Sequence, residues 1–236
     1  MLPVKVILVD INKQMVAAWK ETFEENPEVD IIEGSMLEQS VSAWVSPTNS
    51  KGSMDGGLDA IIKGALGPAC ESKLQAEIRA RYSGTLPVGH AICCPTDRSQ
   101  PAYLISTPTM MGSSDDVSST MNVALACAAA FQAVNMQNQV QPGSIRSVAL
   151  PGLGANTGRV PVEICADLMW TGYNLFREKN FTSFDELRVA LQDQLGDLTP
   201  MSDSVPKPKA AAPAPTPVSA SDPDDDFDDE DFDDFE

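Results

Sequence analysis

Short apolar runs rich in Val, Ile and Leu alternate along most of this chain with segments whose apolar residues recur at helical spacing. That alternation is a severe constraint. Strands joined through helices return to the same end of a sheet, so they pair mostly in parallel, and the crossover helices cover both faces. Val4–Val9 reads as the first strand, followed by Met15, Ala18, Trp19 and Phe23 at helical spacing. Further strands are expected at Val29–Glu33, Val41–Val45, Gly89–Cys94, Tyr103–Ser106 and Ser147–Leu150. Helices are expected over Leu58–Leu66, Cys70–Tyr82, Val117–Val134 and Pro161–Phe176, the third with an alanine-rich centre suited to close packing. The last helix should cover Ser183–Leu195, where Ser183 and Glu186 have the spacing of a capping box. The expectation is an α/β fold of three layers with a mostly parallel central sheet.

Composition divides the 236 residues near position 198. Residues 1–197 mix apolar and charged positions as one globular domain does. Residues 198–221 are dominated by Pro, Ala and Ser, which bury too little apolar surface to offset the entropy of ordering, so a disordered linker is expected there. Residues 222–236 hold eleven acids and no base, so −11 of the net charge of −18 belongs to that tail and −7 to everything else. An acidic body repels a nucleic-acid backbone, and a small anionic ligand would need a sheltered pocket.

Five cysteines without CxxC spacing and the single histidine, His90, argue against zinc, and no cofactor or metal is expected. His90 falls inside an expected strand, where a structural role is the natural one, and Cys93-Cys94 reads as buried strand cysteines. With no leader-like segment and no apolar run of membrane-spanning length, a soluble protein of a reducing cytoplasm is expected, with no membrane contact.

Ligands of open parallel sheets collect at the carboxyl ends of the strands, and two such ends here run into glycine-rich loops. The first is Ser46-Pro47-Thr48-Asn49 through Asp55-Gly56-Gly57-Leu58-Asp59; the second is Leu150-Pro151-Gly152-Leu153-Gly154-Ala155-Asn156-Thr157-Gly158. Each leads from a strand into a helix, which leaves amide N–H groups and a helix N-terminus free to face an anion.

These two loops, with Tyr103–Thr109 between them, resemble the macro-domain pattern of asparagine loop, central strand and diphosphate loop over roughly residues 29–177. The resemblance implies a cleft for ADP-ribose or a relative, with Asn49 near the distal ribose and Gly152, Leu153, Gly154, Ala155, Asn156, Thr157 and Gly158 around the diphosphate. Gly56, Gly57, Asp59 and Thr107 join the ligand-binding set, Asp59 equally as a helix-capping group.

Where many macro domains carry an aspartate that recognises the adenine amino group, this sequence has Ser35, and Asp10, at the end of another strand, is the expected substitute. Asn156 stands where glycine is usual and should take a left-handed conformation. Gly158 replaces an aromatic, and Lys63 occupies the place of a histidine found in hydrolytic members. Any chemistry should be hydrolysis at the distal ribose, of ADP-ribose-1″-phosphate or of an ADP-ribosylated side chain, with Asp55 as acid or base and Asn49 positioning the sugar. Two other readings stay open: a non-enzymatic adaptor with a vestigial cleft, and a single-stranded nucleic-acid-binding protein regulated by its tail.

The tail places Phe227, Phe232 and Phe235 among carboxylates, so that each ring can anchor in a protein partner's pocket. It resembles the acidic C-terminal tails of bacterial and phage single-stranded-DNA-binding proteins. The combination would suit a phage or bacterial accessory protein of nucleotide or DNA metabolism.

Overall fold

The structure, a computed structural model, describes residues 4–178 and 181–195. The linker at 198–221 and the acidic tail at 222–236 lie outside the described residues. The elements run β1 (Lys5–Asp10), α1 (Lys13–Thr22), β2 (Val29–Glu33), β3 (Ala43–Ser46), α2 (Gly57–Leu66), α3 (Ala69–Tyr82), β4 (Ile92–Pro95), β5 (Tyr103–Ser106), α4 (Asn122–Val140), β6 (Ser147–Leu150), α5 (Val162–Glu178) and α6 (Phe184–Leu195). Among the described residues the sheet has six strands in the order β2-β1-β6-β3-β5-β4. All pairs are parallel except β4 with β5.

Strand alternation separates two cores. Val6, Leu8, Ala43, Val45, Ile105, Val148 and Leu150 face one side, where α1, α4 and α5 bring Met15, Trp19, Phe131, Cys165 and Tyr173. Ile7, Val9, Trp44, Leu104 and Ala149 face the other, against Ile62 of α2 and Leu74 and Ile78 of α3. These are the three layers expected from the sequence. In a smaller cluster Leu187 and Leu191 of α6 pack on Leu125 and Ala128 of α4. Ser183 Oγ accepts the Glu186 N–H, but the Glu186 carboxylate turns to the N–H and hydroxyl of Thr182, so the capping box closes one residue early.

Two expected elements begin three or more residues late. The strand expected at Gly89–Cys94 begins only at Ile92, which leaves His90 in the approach to it. The helix expected from Val117 begins at Asn122, because residues 116–121 are tied into turns: Asp116 Oδ1 accepts the N–H and hydroxyl of Ser118, and Thr120 Oγ1 donates to Val117 O. Val117 and Met121 are buried all the same, and that burial is what imitates a helical period in the sequence.

The alanines of α4 serve a helix contact as well as the sheet. A Cβ on Gly172 of α5 would lie 2.6 Å from Ala124 O and 3.1 Å from Cys127 Cβ, so the two helix backbones approach as only glycine allows. Gly172→Ala should force them apart and lower stability by about 1–3 kcal/mol, read as a fall in the thermal unfolding midpoint. An unchanged midpoint would show that the contact is not tight.

Candidate functional site

Five parallel strands place their carboxyl ends along one edge of the sheet, and a cleft of about 600 Å³ runs along that edge. Strand order sets what lines it. The β2 end supplies Gly34 to Leu37, the β1 end Asp10 and Ile11, and the β6 end Gly152, Gly154 and Asn156 to Gly158. The β3 end supplies Asn49, Ser53 and Asp55 to Asp59, and the β5 end Thr109, Met110 and Ser113. The cleft is therefore apolar at its β2–β1 end, where Ile11, Met36 and Leu37 sit, and polar at its β3–β5 end.

The loop after β6 is held open by its surroundings. Asp10 accepts the Gly152 N–H on Oδ2 (3.1 Å) and the Asn12 N–H on Oδ1 (2.9 Å), tying the β1 end to the loop. Gly154 O accepts the Val160 N–H and Gly158 O accepts the Val117 N–H. None of the N–H groups from Leu153 to Gly158 meets a protein acceptor among the described residues. Such a row of unpaired amides is suited to an anion. A Cβ at Gly158 would lie 2.6 Å from Gly154 O and 2.7 Å from Val117 Cγ2, so the packed loop excludes any side chain where the resemblance suggests an aromatic. Asn156 does not adopt the left-handed backbone expected of it; positive φ falls on Gly154 (73°) and Arg159 (59°) instead. Leu153 is fully buried, its carbonyl accepting the Cys165 thiol, and Ala155 packs against the core.

The loop after β3 is built on two side chains. Asn49 Oδ1 accepts the N–H groups of Lys51 (2.9 Å) and Ser53 (3.3 Å), while Nδ2 donates to Ser113 Oγ (2.9 Å) and Ser53 O (3.3 Å). Glu71, from α3, accepts the Met54 N–H (2.7 Å) and pairs with Lys63 (2.7 Å), and Lys63 reaches on to Asp55 (2.9 Å). Hydrogen bonds that Lys63 donates to Glu71 and Asp55 raise its pKa, so the ammonium is retained. Asp55 is exposed, with an ion pair as its restraint. Gly56 caps α2 without a side-chain bond, and a Cβ at Gly56 or Gly57 would meet no atom within 4 Å, so the helix N-terminus opens on the cleft.

Asp59, in the first turn of α2, is a different kind of carboxylate. Burial pushes its pKa up from 3.8 to about 6, opposed by a short hydrogen bond from the buried Ser46 hydroxyl. Ser35 caps the short turn Met36–Glu38, its hydroxyl oxygen accepting the Leu37 N–H (3.2 Å). Thr107 does not reach the cleft: it is buried and donates to Ala126 O (2.9 Å). Two residues on, Thr109 does line the cleft, and its buried hydroxyl has no partner among the described residues. Sequence reasoning missed Thr109 and Ser113 because the polar stretch 107–120 offers no period to choose between neighbours. It also missed the apolar rim of Ile11, Met36 and Leu37, which reads locally as ordinary loop hydrophobics.

His90 stands away from the cleft, buried between Tyr82 and Phe184, with Nε2 3.4 Å from Asp185, and burial lowers its pKa. Burial pushes the Cys93 and Cys94 thiols up to about 12 and about 11, and all five cysteines are free thiols. Among the described residues no group of three or more His, Cys, Asp or Glu is arranged to hold a metal, and no helix is long and apolar enough to cross a membrane.

The macro domain family model matches residues 45–169, just over half of the chain. An uncharacterized protein of Aquifex aeolicus (strain VF5) is 28% identical over 156 residues, covering 64% of this chain and 84% of its own length. Among solved structures, the macrodomain of Mycobacterium tuberculosis DarG is 20% identical with a TM-score of 0.51, over 60% of this chain and 86% of its own. The Oceanobacillus iheyensis macrodomain with MES bound is 16% identical with a TM-score of 0.50, over 69% of this chain and 88% of its own. Thermosipho africanus DarTG in complex with ADP-ribose is 18% identical with a TM-score of 0.50, over 66% of this chain and 44% of its own.

Asp59 makes the cleft's stability sensitive to pH. Its folded pKa lies above the unfolded one, so its contribution is fully present below about 3.8 and is lost as pH rises through about 6. Asp59→Asn removes that dependence. Between pH 4 and 7 the parent should lose on the order of 2 kcal/mol relative to the variant, measured by denaturant unfolding. Parallel pH profiles would mean that Asp59 is not desolvated.

Proposed function

The chain belongs to the macro-domain family, and on that premise we propose that its cleft binds ADP-ribose or a related ADP-ribosyl metabolite or modification. The observation that carries this is the row of unpaired amides from Leu153 to Gly158 on the same cleft as the open N-terminus of α2. Together they can hold a diphosphate without a lysine, as an acidic body requires. In this assignment the Gly152–Gly158 loop surrounds the diphosphate, with Gly56 and Gly57 on its other flank. Asn49 meets the distal ribose at the polar end, and Ser35 and Asp10 stand at the base end.

The reaction proposed for the polar end is hydrolysis at the distal ribose, in which a carboxylate takes the proton of an attacking water. Asp55 is exposed at that end and held by Lys63; Asp59 is half-buried with its pKa raised to about 6, as general acid–base work favours. The body at 1–197 would act as one domain in a reducing cytoplasm. The linker at 198–221 would present the acidic tail, whose Phe227, Phe232 and Phe235 would dock a protein partner.

Calorimetric titration of the full chain should give micromolar ADP-ribose binding that weakens at least about tenfold in Asn49→Ala, with circular dichroism confirming that the variant folds. No binding would contradict the assignment. With ADP-ribose-1″-phosphate, phosphate release should fall by about a hundredfold in Asp55→Ala or Asp59→Asn, whichever carries the proton. Unchanged release in both would remove the catalytic part and leave a binding module.

A further inference from the structure

The cleft mouth carries apolar surface that no described residue covers. Ile11, just past β1, and Ile61, on α2, both line the cleft, yet they are 78% and 56% exposed, and the exposed Met111 follows the lining Met110. Apolar side chains gathered around a concave site mark a binding surface. On the same cleft lie the unpaired amides from Leu153 to Gly158 and the open N-terminus of α2, which favour negative charge. An occupant that satisfies both features presents apolar groups and carboxylates in close alternation.

The chain itself contains such a segment. In residues 222–236, Phe227, Phe232 and Phe235 each have a carboxylate as the immediate neighbour on both sides. A ring on the apolar rim therefore brings an anion with it. The body's cations compete poorly for this segment, since Lys5, Lys13, Lys63, Lys73, Arg159 and Arg177 are each paired with a carboxylate of the body. Of the cleft's own carboxylates, Asp55 is paired with Lys63 and Asp10 faces two backbone N–H groups. Screening limits the remaining repulsion to a range of about 8 Å at physiological salt. Reach is no obstacle either. Leu187 and Leu191 of α6 share a core cluster with Met121 and Leu125 at the start of α4, and Asn122 of that helix donates to Thr109 O in the cleft wall. From Leu195, residues 196–221 span on the order of 30 Å as a coil, enough to return to the cleft.

We infer that residues 222–236 dock in this chain's own cleft, with Phe rings on the Ile11–Ile61 rim and carboxylates toward the β6-loop amides, and so compete with an anionic ligand. The inference stands on the anion site, and on the nucleotide assignment only where ADP-ribose enters the test. A tether of this length holds the tail at about millimolar effective concentration, so a weak contact suffices.

The test compares isotope-labelled full-length protein with a full-length variant carrying Phe227→Ser, Phe232→Ser and Phe235→Ser, positions outside the described body. The amides of Ile11, Gly56 to Leu58 and Leu153 to Gly158 should differ between the two, and a synthetic peptide of residues 222–236 should move the variant's amides back toward those of the parent. ADP-ribose should bind the variant about three- to tenfold more tightly, as loss of a tethered competitor predicts. Identical cleft amides in parent and variant overturn the inference and leave the ADP-ribose assignment standing. Equal ADP-ribose affinities also overturn it, because the tail then does not compete. Differences that vanish on dilution overturn it too, since they put the tail in the cleft of a second copy. If the amides differ as expected but neither protein binds ADP-ribose, the inference stands and the nucleotide assignment fails.

Discussion

Parallel pairing of β2, β1, β6, β3 and β5 is the constraint on which everything else depends. It sends every connecting loop out of the same edge of the sheet, so segments far apart in sequence, such as 34–37, 49–59 and 152–158, converge on one cleft. The sheet can run this way because its strands are apolar on both faces and two helical layers cover them. The close approach of α4 and α5 closes one of those layers.

Within the cleft, most polar side chains serve the protein itself. Asp10 ties two strand ends together, Asn49 folds the first loop around its amide, and Glu71 holds that loop from α3 through Met54 and Lys63. Their work leaves backbone groups unpaired where a ligand would lie. On the proposed function, an acidic protein would thereby acquire an anion site without concentrating positive side chains, the attraction coming from oriented N–H dipoles in a sheltered place.

Much of this was legible in the sequence because it rests on local chemistry. Strand and helix periods gave most elements, with Val29–Glu33, Tyr103–Ser106 and Ser147–Leu150 at the expected bounds, and glycine spacing located both loops. What was not legible depends on which neighbour takes which hydrogen bond. Thr107 and Thr109 look alike in a sequence, yet one donates into the core and the other faces the cleft. Asparagine is the natural left-handed residue of such a loop, but here the positive φ falls on Gly154 and Arg159, with Gly158 O accepting the Val117 N–H. Burial of Val117 and Met121 in turns imitated helix, and the pKa of Asp59 balances burial against a hydrogen bond from Ser46, thirteen positions away.

The central claim is that backbone amides of the β6 loop and the start of α2 form the anion site. Amide chemical shifts of isotope-labelled protein titrated with ADP-ribose test it most directly. The account predicts the largest shifts at Leu153 to Gly158 and at Gly56 to Leu58, with His90 and its neighbours unmoved. Shifts centred elsewhere, or none at saturating ligand, would contradict it.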